Sequence, residues 1–307
     1  MANKLRNLRF TSAARIEKSY RDLPALLKVG DVREIASAFV GNMDRILAMV
    51  EFAPLALGLA LEHTHDVQVE DARRDSPQRA FLAPAFFGPP GIGGHFHREP
   101  KLSARWSQSP LPDDLRNEAI ERGHRSLADW MKFHPKDVAA GIEAVLSAQI
   151  IGAWSAFETL AGDLWETIIL NEPKTFAALK QKSHGIAKAK TPLSKSDEVD
   201  ILRDEVSFNS PWGTRAAYKK LGNAGAILRG LSSKRIDALN IIRNVIAHHA
   251  GKIDKRYFDR AASVRFAPKL KRGRKFPLTG EVCSTRINAV IARALSLVHQ
   301  VDKRLGR

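Results

Sequence analysis

An apolar stripe that holds one helical face for about ten turns leaves few folds open, and Lys136 to Asn171 carries one. Val138, Ile142, Val145, Leu146, Ile150, Phe157, Leu160, Leu164 and Ile168 share that face, and Pro173 ends the pattern. Such a helix spans roughly 54 Å at 1.5 Å per residue, so it can be covered only by several other helices. The rest of the chain offers them. Asp31 with Glu34 gives a capped start to a helix through Ile35, Phe39, Met43, Ile46, Leu47 and Val50, with a break expected at Pro54. One or two short helices fit Asp113 to Phe133, a short helical return fits Thr175 to Lys182, and residues 211 to 231 suit a helix around Tyr218 and Leu221 followed by a glycine turn. Val282 to Leu305 closes the chain with Ile287, Val290, Ile291, Ala294, Leu297, Val298 and Val301 on one face. The fold class expected is mainly α, with a basic helical segment over residues 3 to 28 as part of an N-terminal extension.

Three stretches are expected to stand apart: an N-terminal helical segment (1 to 66), a linker or large surface loop (67 to 112) and a helical domain (113 to 307). The middle one gathers Pro77, Pro84, Pro89, Pro90, Pro100, Pro110 and Pro112 with the glycines of Gly88 to Gly94, and no long periodic segment survives there. His95 and His97 lie inside it, after His63 and His65. Without a cysteine or a set of carboxylates nearby they read as solvated histidines, and no metal site is expected. The glycine stretch lacks the Gly-Lys-Ser/Thr ending of a phosphate loop. No cofactor is expected.

Charge narrows the partners. The 307 residues include 49 Lys and Arg against 33 Asp and Glu, a formal net charge of +16, which favours a polyanion, nucleic acid first. An anionic membrane surface would attract the same charge, but no apolar run approaches the ~20 residues of a bilayer span, and no membrane partner is expected. Met1 to Leu27 lacks the apolar core of a secretory signal. Cys283 is the single cysteine, which excludes disulfide scaffolds and cysteine zinc sites, and a reducing, cytoplasmic setting is expected.

The stretch with chemistry is Ser233 to Gly251. Leu239, Ile242, Val245, Ile246 and His249 keep helical spacing, and Gly251 stands where a C-terminal cap belongs. The other side collects Asp237, Asn240, Arg243, Asn244, Ala247 and His248, so one buried and one polar side are expected, with Arg243 and His248 roughly 140° apart. Arg-Asn-x-x-Ala-His at Arg243 to His248 resembles the signature of the HEPN superfamily (higher eukaryotes and prokaryotes nucleotide-binding). The helix order over roughly residues 115 to 305 is similar too, including Trp154 to Glu166 and Tyr218 to Gly222; the first hundred residues are not covered.

The resemblance implies an antiparallel helical bundle and a metal-independent endoribonuclease, such as a toxin or defence effector. RNA brings its own nucleophile. Once a base takes the 2′-hydroxyl proton, that oxygen attacks phosphorus and expels the 5′-oxygen. A histidine suits that proton transfer at neutral pH, which makes His248 the candidate, and the forked, permanently charged Arg243 suits the negative charge that builds on phosphate. Asn244 can orient the histidine or hold an oxygen. Glu158 is the candidate acidic residue from an earlier helix. His249 also falls within the family's spacing, but it projects onto the apolar side, so His248 is preferred. One histidine cannot easily serve both ends of the reaction, and a homodimer with a composite cleft is implied. A toxin would also have an antitoxin or inhibitor protein as partner.

Downstream, Arg265, Lys269, Lys271, Arg272, Arg274 and Lys275 fall within Ser263 to Gly280, which has no acidic residue. A short basic hairpin or loop with Gly273 at its tip is expected there, and Lys269 to Lys275 are candidate RNA contacts. The lysine-rich run Lys180 to Glu198 reads as a solvated loop. Two other readings stay open: a non-catalytic HEPN module that binds RNA or a protein partner, and a helical DNA-associated or scaffold protein.

Overall fold

The computed structural model describes residues 19–49, 52, 117–123, 125–126, 135–249, 251–264 and 270–306. They are mainly helical, with no β-strand among them and a single isolated bridge, Lys252 to Lys275. Pro54, His63, His65, the Pro/Gly-rich stretch with His95 and His97, most of the basic segment 3–28, Arg265 and Lys269 lie outside the described residues.

Two compact units emerge, one of residues 1–6 with 48–142 and one of 7–47 with 143–307. In the first, the described part includes a helical run at 117–123, where Glu118 and Arg122 pair one turn apart and Ala119 is buried. In the second unit an N-terminal piece is fastened to the end of the chain. A 3-10 helix, Ser19–Leu26, leads to α1 over residues 30–49. Between them the amides of Lys28 and Val29 both donate to Asp302 Oδ1 at 2.9 Å. Tyr20, Leu23, Val32, Ala36, Phe39, Met43, Ile46 and Leu47 are buried, the helical stripe that burial requires.

The remaining helices of this unit are α2 (Pro135–Asn171, which enters it at Glu143), α3 (Pro173–Lys180), α4 (His184–Ala187), α5 (Lys195–Asp204), α6 (Pro211–Lys220), α7 (Gly225–Leu231), α8 (Lys234–His249), α9 (Lys255–Val264) and α10 (Gly280–Leu305). α2 supplies the core: Leu146, Ile150, Trp154, Phe157, Leu160, Leu164, Trp165 and Ile168 are all buried. The Trp165 indole donates to Ala217 O at 3.1 Å and the Tyr218 hydroxyl to Ala161 O at 2.9 Å, so α2 and α6 are pinned by buried polar tips as well as by apolar area.

α2 corrects one expectation. Ala139–Asn171 is long and apolar enough to cross a membrane, with a mean hydropathy of 1.3. Glycine, serine, glutamine and acidic residues interrupt its apolar run without lowering the mean far. In the protein its apolar stripe is packed against the other helices.

Local chemistry fixes most helix ends. Ser194 and Asp197 form a reciprocal capping box on α5, Ser210 caps α6 with Pro211 at its first position, and Thr279 accepts from Val282 N to start α10. The run Lys180 to Glu198 is not simply a loop: it contains α4, capped by Ser183, and the start of α5, and Lys180 pairs with Glu198. Residues 211 to 231 form two helices about a turn in which Gly222 and Asn223 have φ +64° and +43°. α9 has no counterpart in the sequence reading, although Tyr257, Ala261 and Val264 recur at its buried face.

Candidate functional site

α8 is enclosed for most of its length. It packs against α6, α9 and α10, and Ile236, Ala238, Leu239, Asn240, Ile241, Ile242 and Val245 are buried on every side. The expected division into a buried and a polar side therefore holds only near the C-terminal end. Arg243 and Asn244 are half-buried, and Ala247 and His248 are exposed. Asp237, on the polar side, is taken up by an ion pair to Arg215 at 2.9 Å.

Where the polar side opens, a residue of α2 meets it. Arg243 Nη1 donates to Asn244 Oδ1 at 3.0 Å, which orients the guanidinium along the helix, while its Nε is buried with no hydrogen-bond partner among the described residues. Glu158 of α2 feels that charge. Burial raises its pKa, the Arg243 charge lowers it, and the net direction is upward. The Trp154 indole N–H also favours the charged form of Glu158, though its geometry falls short of a full hydrogen bond. Asn240, one turn before Arg243 and Asn244, has its side-chain oxygen buried without a partner. Leaving such groups unsatisfied costs about 1–3 kcal/mol each, and two of them, on Arg243 and on Asn240 one turn before it, lie on α8.

The chain after α8 carries the basic loop back to the helix end. Gly251 has φ +77° and its amide donates to Val245 O at 3.1 Å, closing the helix as expected of a glycine cap. In the short basic hairpin or loop expected here, residues 273–276 pair with 251–253. Ile253 N donates to Arg274 O at 2.9 Å, Gly273 N to Ile253 O at 2.8 Å, and Phe276 N to Gly251 O at 2.8 Å. Gly273, φ +78°, does sit at the turn. Buried Ile253, Tyr257 and Phe276 anchor this arrangement.

Lys271, Arg272, Arg274 and Lys275 are exposed. Lys275 differs from the others because its Nζ reaches both Glu143 oxygens, at 2.9 and 3.1 Å. It tethers the loop to α2, so it is a weaker candidate for a free phosphate contact. The His249 side chain and Lys269 fall outside the described residues.

α8 runs antiparallel to α2, since Arg243 faces Glu158 while Gly251 lies against Glu143. His248 is thus ~7.5 Å further along the axis than Arg243, toward the basic loop. The structure brings Glu158, Arg243 and Asn244 together, with His248 and the loop cations at the adjoining helix end. Trp154 and Asn240 were not foreseen as site residues. Trp154 lies one turn from Glu158 and Asn240 one turn from Asn244, a spacing that places each on the same helix face. Among the described residues no group of three His, Cys, Asp or Glu side chains could hold a metal ion. No family model, curated protein or solved structure matches the chain.

Proposed function

We propose that the protein is a metal-independent endoribonuclease of HEPN type. One observation carries the reading: a half-buried carboxylate from α2, Glu158, is set against the arginine of the Arg-Asn-x-x-Ala-His segment, and the histidine of that segment is left exposed at the helix end. His248 takes the 2′-hydroxyl proton. The freed oxygen bonds to phosphorus, and the bond to the 5′-oxygen breaks, leaving a 2′,3′-cyclic phosphate and a 5′-hydroxyl. Arg243, oriented by Asn244 and facing the Glu158 charge, stabilises the charge on the non-bridging oxygens. The proton for the leaving oxygen comes from the same histidine of a second copy, so the working unit is a homodimer.

Purified protein incubated with RNA in excess EDTA tests this directly. Cleavage with cyclic-phosphate ends is expected, and RNA that is bound but left intact would favour the non-catalytic module. Sedimentation is expected to give a dimer. Mixing Arg243→Ala with His248→Ala chains is expected to restore part of the activity, and a fully active monomer would rule out the composite site.

A further inference from the structure

At the far end of the bundle a groove of about 880 Å³ is lined by residues of α3, the α6–α7 turn, α7 and the end of α10. α2 and α10 run side by side, Leu146 against Cys283 and Glu172 against Arg304, so the groove and the basic loop at Glu143 are separated by about 40 Å along α2.

Four cations line the groove, Lys174, Arg229, Lys303 and Arg304, against one carboxylate, Glu172. Arg304 is committed to structure: it donates to both oxygens of Glu172 at 2.7 and 2.6 Å and to the carbonyls of Gly222 and Leu221. The Glu172 charge is thereby cancelled, and Arg304 holds its pKa below the usual range. Lys174, Arg229 and Lys303 are exposed and make no ion pair among the described residues.

Lys174 is also misplaced for stability. It stands in the first turn of α3, whose first turn has no acidic residue and whose N-terminus has no side-chain cap, and a cation there is repelled by the helix dipole. An anion bound at that end would relieve the repulsion and use the uncapped amides. Ala226 gives the groove an exposed apolar surface above buried Leu221 and Ile227, with the Asn223 and Gln300 amides beside it. A bare phosphate needs neither apolar surface nor amides, whereas a nucleotide uses both, and the volume lies in the range of small-ligand sites.

We propose that this groove binds a nucleotide phosphate, either a free nucleotide or one unit of an RNA strand. The phosphate lies between Lys174, Arg229 and Lys303, and the base lies over Ala226. This does not depend on the nuclease reading. Two probes distinguish the sources: AMP, and a 2′-O-methyl oligouridylate that lacks the nucleophilic hydroxyl and so cannot be cleaved by the proposed chemistry.

Replacing Lys174, Arg229 and Lys303 together by Ala, with Arg304 kept to hold the turn, is expected to weaken AMP binding at least tenfold if the source is a free nucleotide. If it is a strand, AMP fails to bind, while the oligomer loses affinity and its log affinity against log salt flattens by about two units, ~0.7 for each contact removed. Lys174→Glu alone separates binding from structure: it is expected to raise the melting temperature by favouring the α3 dipole and to weaken the bound ligand. Unchanged affinity for both probes in the triple variant would overturn the proposal.

Discussion

Burial pushes the Glu158 carboxyl on α2 upward in pKa, the Arg243 guanidinium on α8 pulls it down, and burial prevails. A carboxyl raised in this way costs stability when ionised. The cost is present above its folded pKa and disappears as pH falls toward the unfolded value. Glu158→Gln is therefore expected to melt higher than the parent at neutral pH, with the difference closing in acid. Arg243→Ala removes the lowering charge, so the Glu158 carboxyl should titrate higher still, as read by carbon NMR of the side chain. An unmoved titration in Arg243→Ala would show that the two groups are not coupled.

Arg243→Ala and His248→Ala are each expected to abolish RNA cleavage with little change in helical content, because Arg243 is half-buried and His248 exposed, outside the core. Loss of a general base and of an electrostatic stabiliser typically costs 10²–10⁴-fold each. Full activity in His248→Ala would sink the assignment. His249→Ala is expected to affect melting more than turnover.

Lys271, Arg272 and Arg274 are held at the end of α8 by three backbone hydrogen bonds to residues 251–253. If they guide RNA toward His248, changing all three to Ala should weaken binding to unrelated RNAs alike and flatten the salt slope by about two units. It should raise the Michaelis constant more than it lowers turnover. Unchanged affinity and slope would clear the loop of any substrate contact. Lys275→Ala is expected to behave differently: its exposed ion pair with Glu143 is worth ~1 kcal/mol or less, and its loss should mainly loosen the loop.

Gly251→Ala tests the junction itself. A Cβ there would meet only Glu143 Oε1, at an ordinary 3.7 Å, so the cost is the left-handed backbone, about 1–2 kcal/mol. A fall in melting temperature of several degrees is expected, together with faster exchange of the Phe276 amide that bonds to Gly251 O. A variant as stable and as protected as the parent would mean that the turn does not depend on this glycine.

Sequence alone determined the long helices and several of their stops, because a 3.6-residue period, a proline or a glycine cap acts within a few residues of itself, whereas the short α4 and α9 escaped it. The Lys136 to Asn171 stripe became α2 with one residue added at its start, and Gly251 and Gly273 both took the left-handed conformation their positions asked for. Tertiary structure decided what those helices do to one another. Asn240 looked like part of an open polar side and is sealed in, because burial depends on which neighbours pack against α8. Residues 7–47 read as part of a separate segment, yet two of their amides end on a carboxylate 274 and 273 residues away. Residues 273–276 of the basic stretch bond to 251–253, a pairing across α9 that no local pattern announces. Glu158 was one helix carboxylate among many until α8 set the Arg243 charge against it, and no local pattern encodes that meeting.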